Sequence, residues 1–236
     1  MIKAGCEPAG RAGTNRTRLG RRIAGIAYAA LATLAITGCD FSSRASSKPG
    51  FEDWLAQDPK RSLQFAAFEA HLSQAGVGQI VPSWQLVRMD ANYAARCGAE
   101  YFAIPPADLW DNIIPTLEMV RDHVVPVTGA VEVVSAWRPK QINTCIGGAA
   151  RSQHLRFAAV DMVSLENRPV RAMFADLCAM HRAAGRRSAI GLGVYFDPDF
   201  PWRNAIGRFH IDSAGYRRWG YDYTRKSDPC PSLTNM

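Results

Sequence analysis

A chain of 236 residues, 47% of them hydrophobic, can bury one good core, so one compact domain behind a leader is the simplest organisation. Most of the formal charge of +7 belongs to the N-terminus, because residues 1–38 hold six of the 28 Lys and Arg and one of the 21 Asp and Glu. The remaining 22 basic and 20 acidic residues give a net charge of +2. Such a balanced domain argues against a nucleic-acid partner, which would require a basic patch in the folded part.

The N-terminus has the layout of an export signal. Four arginines precede an uncharged run over residues 23–38, which is shorter than the ~20 residues of a comfortable membrane span. The run ends in Ile36-Thr37-Gly38-Cys39, which resembles the lipobox of bacterial lipoproteins, whose cysteine is lipidated and becomes the first residue after cleavage. We therefore predict a lipoprotein-type signal peptide over 1–38, a lipid anchor at Cys39 and a periplasm-facing position on a bacterial membrane. An uncleaved signal anchor is the alternative.

The cysteines agree with export. Cys97, Cys145, Cys178 and Cys230 remain after the leader and its junction, and an even number in an oxidising compartment predicts two disulfides. Three connectivities are possible, of which we favour Cys97–Cys145 and Cys178–Cys230. A structural zinc on these cysteines is the competing interpretation, but no CxxC pair supports it.

The rest of the chain alternates helical patterns with short apolar runs. Ser-rich residues 39–50 predict a flexible tether, and residues 51–104 an N-terminal helical or irregular extension in which Pro59 interrupts the first helix. The main domain is predicted over 105–236. Its expected elements are a helix after Pro105-Pro106 with a kink at Pro115, a strand over 131–135, a strand over 158–163, a helix over 169–184, a strand over 190–196 and a strand over 208–212.

Two of these strands carry charged or imidazole side chains on one face. Alternation places Asp161 opposite the apolar Val160 and Met162, and a carboxylate in such surroundings needs a partner. It also places His210 and Asp212 on a common face. Together with His154, the set of two imidazoles and one carboxylate has the composition of a catalytic zinc site, in which the fourth position is left to water.

Six motifs, in this order, resemble the M15-type zinc peptidases, in the manner of the first subgroup of that family, over roughly residues 105–220. The resemblance implies an α+β fold, with a small antiparallel sheet flanked by helices in an M15/hedgehog-like zinc peptidase domain. It also implies one zinc per chain, with His154, Asp161 and His210 as ligands, and Arg138 as the residue that meets substrate charge. The motifs are Ser135-Ala136-Trp137-Arg138, Gly147-Gly148-Ala149, Ser152-Gln153-His154, Ala159-Val160-Asp161, Gly191-Leu192-Gly193-Val194-Tyr195 and Phe209-His210-Ile211-Asp212.

Members of this family are D-Ala-D-Ala carboxypeptidases or murein endopeptidases. The resemblance therefore implies hydrolysis of peptide bonds involving D-amino acids in peptidoglycan stem peptides or cross-links, with peptidoglycan peptides as partners. The alternative is a non-catalytic, zinc-stabilised lipoprotein that binds peptidoglycan. The sequence leaves open carboxypeptidase against endopeptidase action, and it carries no indication of oligomeric state.

The chain departs from the family pattern at two positions. Phe157 stands where the pattern SxHxxGxAxD has glycine, which would narrow the pocket or alter the turn. Gly207 stands three residues before His210, where some branches carry the catalytic glutamate of ExWH. We interpret Asp212 as the general base, with a hydrogen bond that orients a ligand as its alternative role. Tyr195 is expected to donate a further hydrogen bond to the substrate, and Ser152 to orient the loop in the substrate site.

Overall fold

The computed structural model describes residues 47–197 and 206–233. The predicted signal peptide, most of the predicted tether and Cys39 lie outside these residues. Within them, no helix is long and apolar enough to cross a membrane.

The N-terminal region is helical. Helix α1 covers Lys48–Ala56 and helix α2 covers Pro59–Gln74, so the interruption predicted at Pro59 is found at the start of α2. Proline is suited to a first helical turn, where its missing N–H would have no partner. Helix α1 begins three residues inside the segment for which a tether was predicted, with Pro49 in its first turn. Short helices α3 and α4 follow, at Ser83–Leu86 and Ala91–Cys97.

The next helical segment changes its geometry three times. A 3-10 helix at Ala107–Ile113 leads into α5 at Ile114–Met119, a π-helical turn at Val120–Val124 and α6 at Val125–Thr128. Both α-helical pieces begin with a proline at the first or second position, because proline cannot donate the backbone hydrogen bond of a helix interior. The kink predicted at Pro115 is therefore one of two such interruptions.

Five strands form one sheet in the spatial order β1-β2-β4-β3-β5. Three of the four pairings are antiparallel, and only the edge strand β5 runs parallel to its neighbour β3. Four strands were predicted, and β5 was missed. The strands are β1 Val131–Ser135, β2 Ala159–Ser164, β3 Gly191–Val194, β4 Phe209–Asp212 and β5 Arg217–Trp219.

Three further α-helices complete the α+β fold that the sequence predicts. They are α7 Lys140–Cys145, α8 Val170–Ala184 and α9 Cys230–Leu233. The favoured disulfide pairing is confirmed: Cys97–Cys145 joins α4 to α7, and Cys178–Cys230 joins α8 to α9. Each disulfide therefore ties two helices that lie about fifty residues apart in the chain.

One face of the sheet lies in the main core. Val160 and Met162 of β2 and Phe209 and Ile211 of β4 are completely buried there, as strand alternation predicts. The same core includes aromatic residues of α1 and α2, so the region over 51–104 packs into one hydrophobic cluster with the sheet. The opposite face is consequently left to the polar residues of β2 and β4.

Candidate metal centre

His154, Asp161 and His210 converge on the polar face of the sheet. His154 belongs to a short 3-10 helix at Gln153–Arg156, while the other two face each other in the register of β2 and β4. Each residue offers one ligand atom, and these atoms lie within 4.8 Å of one another. His210 Nδ1 is 2.8 Å from Asp161 Oδ1 and 3.1 Å from His154 Nε2. All three residues are buried, so the group is largely shielded from water.

Neighbouring hydrogen bonds set the tautomers of both imidazoles. The Nδ1–H of His154 donates to the carbonyl oxygen of Ala136 at 2.6 Å, which leaves Nε2 with a free electron pair. The Nε2 of His210 lies 3.0 Å from Asp212 Oδ2, and a hydrogen bond to that carboxylate leaves Nδ1 as the electron-pair donor. Two imidazole nitrogens and a carboxylate oxygen thus point at one another, and only a cation or a proton between them relieves this arrangement.

The protonation tendencies agree with this picture. Burial lowers the pKa of His154, so its imidazole is neutral near pH 7. Burial opposes ionisation of Asp161, but the guanidinium of Arg208 and the facing imidazoles outweigh it and hold the pKa of this carboxyl well below its usual range. Burial also acts against the charged form of His210, yet hydrogen bonds to Asp161 and Asp212 raise its pKa. A metal ion would therefore take the place of a proton on His210.

The donor set fits zinc. Two neutral imidazoles and one carboxylate are typical of three-ligand zinc sites, and each imidazole has its second nitrogen fixed by an oxygen acceptor, as metal-bound histidines usually do.

A comparison with protein families agrees with the geometry. Residues 93–196 match the family model described as Peptidase M15. The protein belongs to the M15-type peptidases. The matched segment contains His154 and Asp161 and ends before His210, which the pairing of β2 with β4 brings to the same point. No curated protein and no solved structure gave a match. Membership supports metallopeptidase activity, and M15 peptidases are typically zinc-dependent.

Asp212 lies beside the ligands of this M15 peptidase, where it was interpreted as the general base. Its Oδ2 accepts hydrogen bonds from Arg217 at 2.7 Å and from His210 at 3.0 Å. Its Oδ1 accepts from Arg217 at 2.9 Å and from the backbone N–H of Ala214 at 2.8 Å. Burial opposes its ionisation, but these partners, first among them His210, lower its pKa. The geometry favours the alternative role, in which the carboxylate orients His210.

Glycines on β3 make room for this arrangement. A Cβ atom at Gly191 would lie 2.5 Å from Asp212 Oδ1, and one at Gly193 would lie 2.7 Å from the ring of Trp219. Trp219 in turn packs edge-on against His210, with ring centres 5.1 Å apart. The two glycines therefore allow β5 to place its side chains against the ligands, as the close approach predicted for this strand requires.

Phe157 ends the 3-10 helix that carries His154. Its φ is +54°, in the left-handed region that favours the glycine of the family pattern. Its ring is completely buried in the main core, 5.9 Å from that of Phe68. Of the two expected consequences, a changed turn and a narrowed pocket, the side chain produces neither at the cavity: the turn keeps a left-handed backbone and the ring packs away from it.

Arg138 lies at the end of β1, as predicted, and close to the metal group. Its Nη2 is 3.7 Å from Asp161 Oδ2, and its backbone N–H donates to the carbonyl oxygen of His154 at 3.0 Å. Its guanidinium carbon lies 5.2 Å from the ring centre of Tyr93. Ser152 precedes the His154 helix and lines the same cavity. Their substrate-binding roles stay predictions.

Arg208 was missed by sequence reasoning. Its Nη2 donates to Asp161 Oδ2 at 2.6 Å, and its Nη1 donates to Asp90 Oδ2, also at 2.6 Å. Asp90 lies 118 residues away in the chain, outside the resemblance noted in the sequence, so no local pattern could have revealed the pair. A second guanidinium therefore lies beside the metal group.

These residues border a cavity of about 680 Å³. Among the described residues that line it, Asp161 and Asp212 are the only acids, and both are engaged as above. Tyr195 also lines it, and burial raises the pKa of its hydroxyl well above the usual value, so it stays protonated and can donate a hydrogen bond. The lining includes six arginines: Arg138, Arg151, Arg208, Arg217, Arg218 and Arg225. The cavity therefore suits an anionic ligand.

Proposed function

We propose that this M15 peptidase uses one zinc ion to hydrolyse peptide bonds involving D-amino acids in peptidoglycan stem peptides or cross-links. The observation that carries the proposal is the convergence of three electron-pair donors, His154 Nε2, His210 Nδ1 and an oxygen of Asp161, whose tautomers are set by oxygens outside the group. When bound to three such ligands, zinc lowers the pKa of water toward ~7 and polarises a peptide carbonyl.

The residues around the group would position the substrate. Arg138 can form two parallel hydrogen bonds to a terminal carboxylate, or neutralise the charge that develops on the carbonyl oxygen. The hydroxyl of Tyr195, kept protonated by burial, would donate one more hydrogen bond. Asp212 would keep the Nε2–H of His210 in place, so that Nδ1 stays directed at the metal.

The charge of the cavity supports the substrate class. Six arginines line it, and four of them have an acidic residue within ion-pair distance. A stem peptide that ends in a carboxylate would be attracted to this surface, and desolvation inside the cavity would strengthen the attraction.

Access to such a substrate requires export. We propose that the chain is exported behind its N-terminal signal and held at a bacterial membrane by a lipid on Cys39. Two disulfides support this location, because disulfides persist in oxidising compartments and are rare in the cytosol.

One observation favours the second candidate, a zinc-stabilised binder of peptidoglycan. Among the described residues, the cavity offers no carboxylate that is free to act as a base, since Asp161 and Asp212 are both engaged. Gly207, in the position of the family's glutamate, has a φ of +58°, and a Cβ there would lie 3.1 Å from Met173. A glutamate at this position would be strained, so the loss of that base is built into the backbone.

Incubation of the purified protein with muropeptides separates the two functions. The proposal predicts new products by mass spectrometry, and their loss after treatment with a chelator and in the His154→Ala variant. Retention of muropeptides on the protein without cleavage would instead indicate the binder. Cleavage that continues in the metal-free protein would contradict both.

A further inference from the structure

Helix α4 is held at both ends next to the metal group, although its first residues lie outside the segment that matches the family. Its last residue, Cys97, is joined by a disulfide to Cys145 of α7. Its N-cap, Asp90, is joined by an ion pair to Arg208, two residues before His210. Apart from these links, α4 belongs to a small hydrophobic cluster of its own, whose buried members are Met89, Ala94 and Ile142. Its position therefore depends on few contacts.

The Asp90 carboxylate makes two kinds of contact at once. Its Oδ1 accepts the backbone N–H groups of Asn92 and Tyr93, at 2.9 and 3.1 Å, which caps α4. Its Oδ2 accepts from Arg208. Because Asp90 is buried, both contacts are shielded from water, and the position of Arg208 follows that of the helix terminus.

Arg208 transmits this position to a metal ligand. The same guanidinium donates to Oδ2 of Asp161, while Oδ1 of that carboxylate faces Nδ1 of His210. The ring of Tyr93, on α4, lies beneath it, with 5.6 Å between the guanidinium carbon and the ring centre. The planar, rigid guanidinium can thus link two carboxylates at fixed directions, which a lysine could not do.

We propose that Asp90 is a positioning residue of the metal centre: through Arg208 it fixes the Asp161 carboxylate so that one oxygen stays turned to the imidazoles and the other to the guanidinium. The inference rests on the proposed function in taking zinc as the ion that the group binds. It assigns a role in metal binding to α4, which lies more than a hundred residues from β4 in the chain.

Asp90→Asn is the sharpest test, because asparagine still caps a helix while the charge that holds Arg208 is lost. We expect zinc affinity, measured by competition with a chromogenic chelator, to fall about 10- to 100-fold, the usual effect of removing support from a ligand. The melting temperature of the metal-free protein should stay close to that of the wild type. Turnover should fall mainly in kcat. Wild-type zinc affinity in Asp90→Asn would overturn the proposal.

Arg208→Gln separates positioning from simple repulsion between guanidinium and metal. Positioning predicts weaker zinc binding in Arg208→Gln, and no further loss in the double variant, because Asp90 acts through Arg208. Tighter zinc binding in Arg208→Gln, or additive losses in the double variant, would contradict it. These variants also test the proposal should Asp90→Asn fail to fold.

Glu100→Gln is the matched control. Glu100 belongs to the same region and pairs with Arg61 at 2.9 Å, away from the cavity. Zinc affinity should be unchanged in this variant, and an equal loss there would mean that α4 acts only through general stability. If the wild-type protein itself binds no zinc, the proposed function fails. If it binds zinc and Asp90→Asn binds equally well, only this inference fails.

Discussion

The two faces of the central sheet carry different tasks, although neighbouring residues build them. On one face, Met162, Phe209 and Ile211 are completely buried in the core. On the other, Asp161 and His210 belong to the metal group. Because side chains alternate along a strand, each residue of one set is adjacent in sequence to a residue of the other. Substitutions on one face should therefore change stability, and substitutions on the other should change metal binding.

The largest effect is expected on the core face. Phe209→Ala removes a completely buried ring next to His210 in sequence, and such truncations cost about 3–5 kcal/mol. Urea unfolding of the metal-free protein measures this loss. The protein that remains folded should keep its zinc affinity. A fall in zinc affinity as large as that of the ligand variants would show that the two faces are not independent.

A smaller effect is expected where the chain passes from one face to the other. Phe157→Ala should cost about 3–5 kcal/mol, since it loses the buried ring and keeps the left-handed backbone. In Phe157→Gly, relief of that backbone returns about 1–2 kcal/mol. Glycine should therefore be the more stable replacement in urea unfolding, the reverse of their order in a strand or helix. Equal stability of the two variants would mean that the backbone at Phe157 carries no strain.

Asp212→Asn should act on the polar face alone. Since Asp212 holds His210, its loss should weaken zinc binding by about 10- to 100-fold, or about 1.4–2.8 kcal/mol. A general base would behave differently: zinc would stay bound with unchanged affinity, and kcat would fall by about 10²–10⁴. Zinc titration combined with steady-state kinetics decides between the two roles.

The smallest effect sharpens the comparison most, because Ile211 lies between His210 and Asp212. Ile211→Val should cost about 0.5–1.5 kcal/mol in urea unfolding and leave zinc affinity unchanged. The contrast with Asp212→Asn then comes from two adjacent positions that face opposite ways. A change in zinc affinity in Ile211→Val would place the boundary between the two faces elsewhere.

Local patterns predicted the parts of the fold that depend on local physics. Alternation placed Asp161 and His210 opposite their apolar neighbours, and proline placed the break before α2. The edge strand β5 was missed because Arg217, Arg218 and Trp219 show neither apolar alternation nor β-branching. Its hydrogen-bonding partner β3 makes it a strand.

The support of the metal group was harder to predict. Arg208 and Asp90 pair across 118 residues, and either side chain alone is ordinary in sequence. Similarly, Asp212 could be placed beside His210 by alternation, but its engagement by Arg217 depends on β5, which was not predicted. Residues that contact a ligand at long range thus escape sequence reasoning, even where the ligands themselves do not.

The zinc content of the purified protein tests the central claim most directly. Elemental analysis should find one zinc per wild-type chain, and none bound stoichiometrically in His154→Ala or His210→Ala. His123→Gln is the control, since His123 lies in the π-helical turn and outside the metal group. Full zinc content in both ligand variants would contradict the metal centre described above.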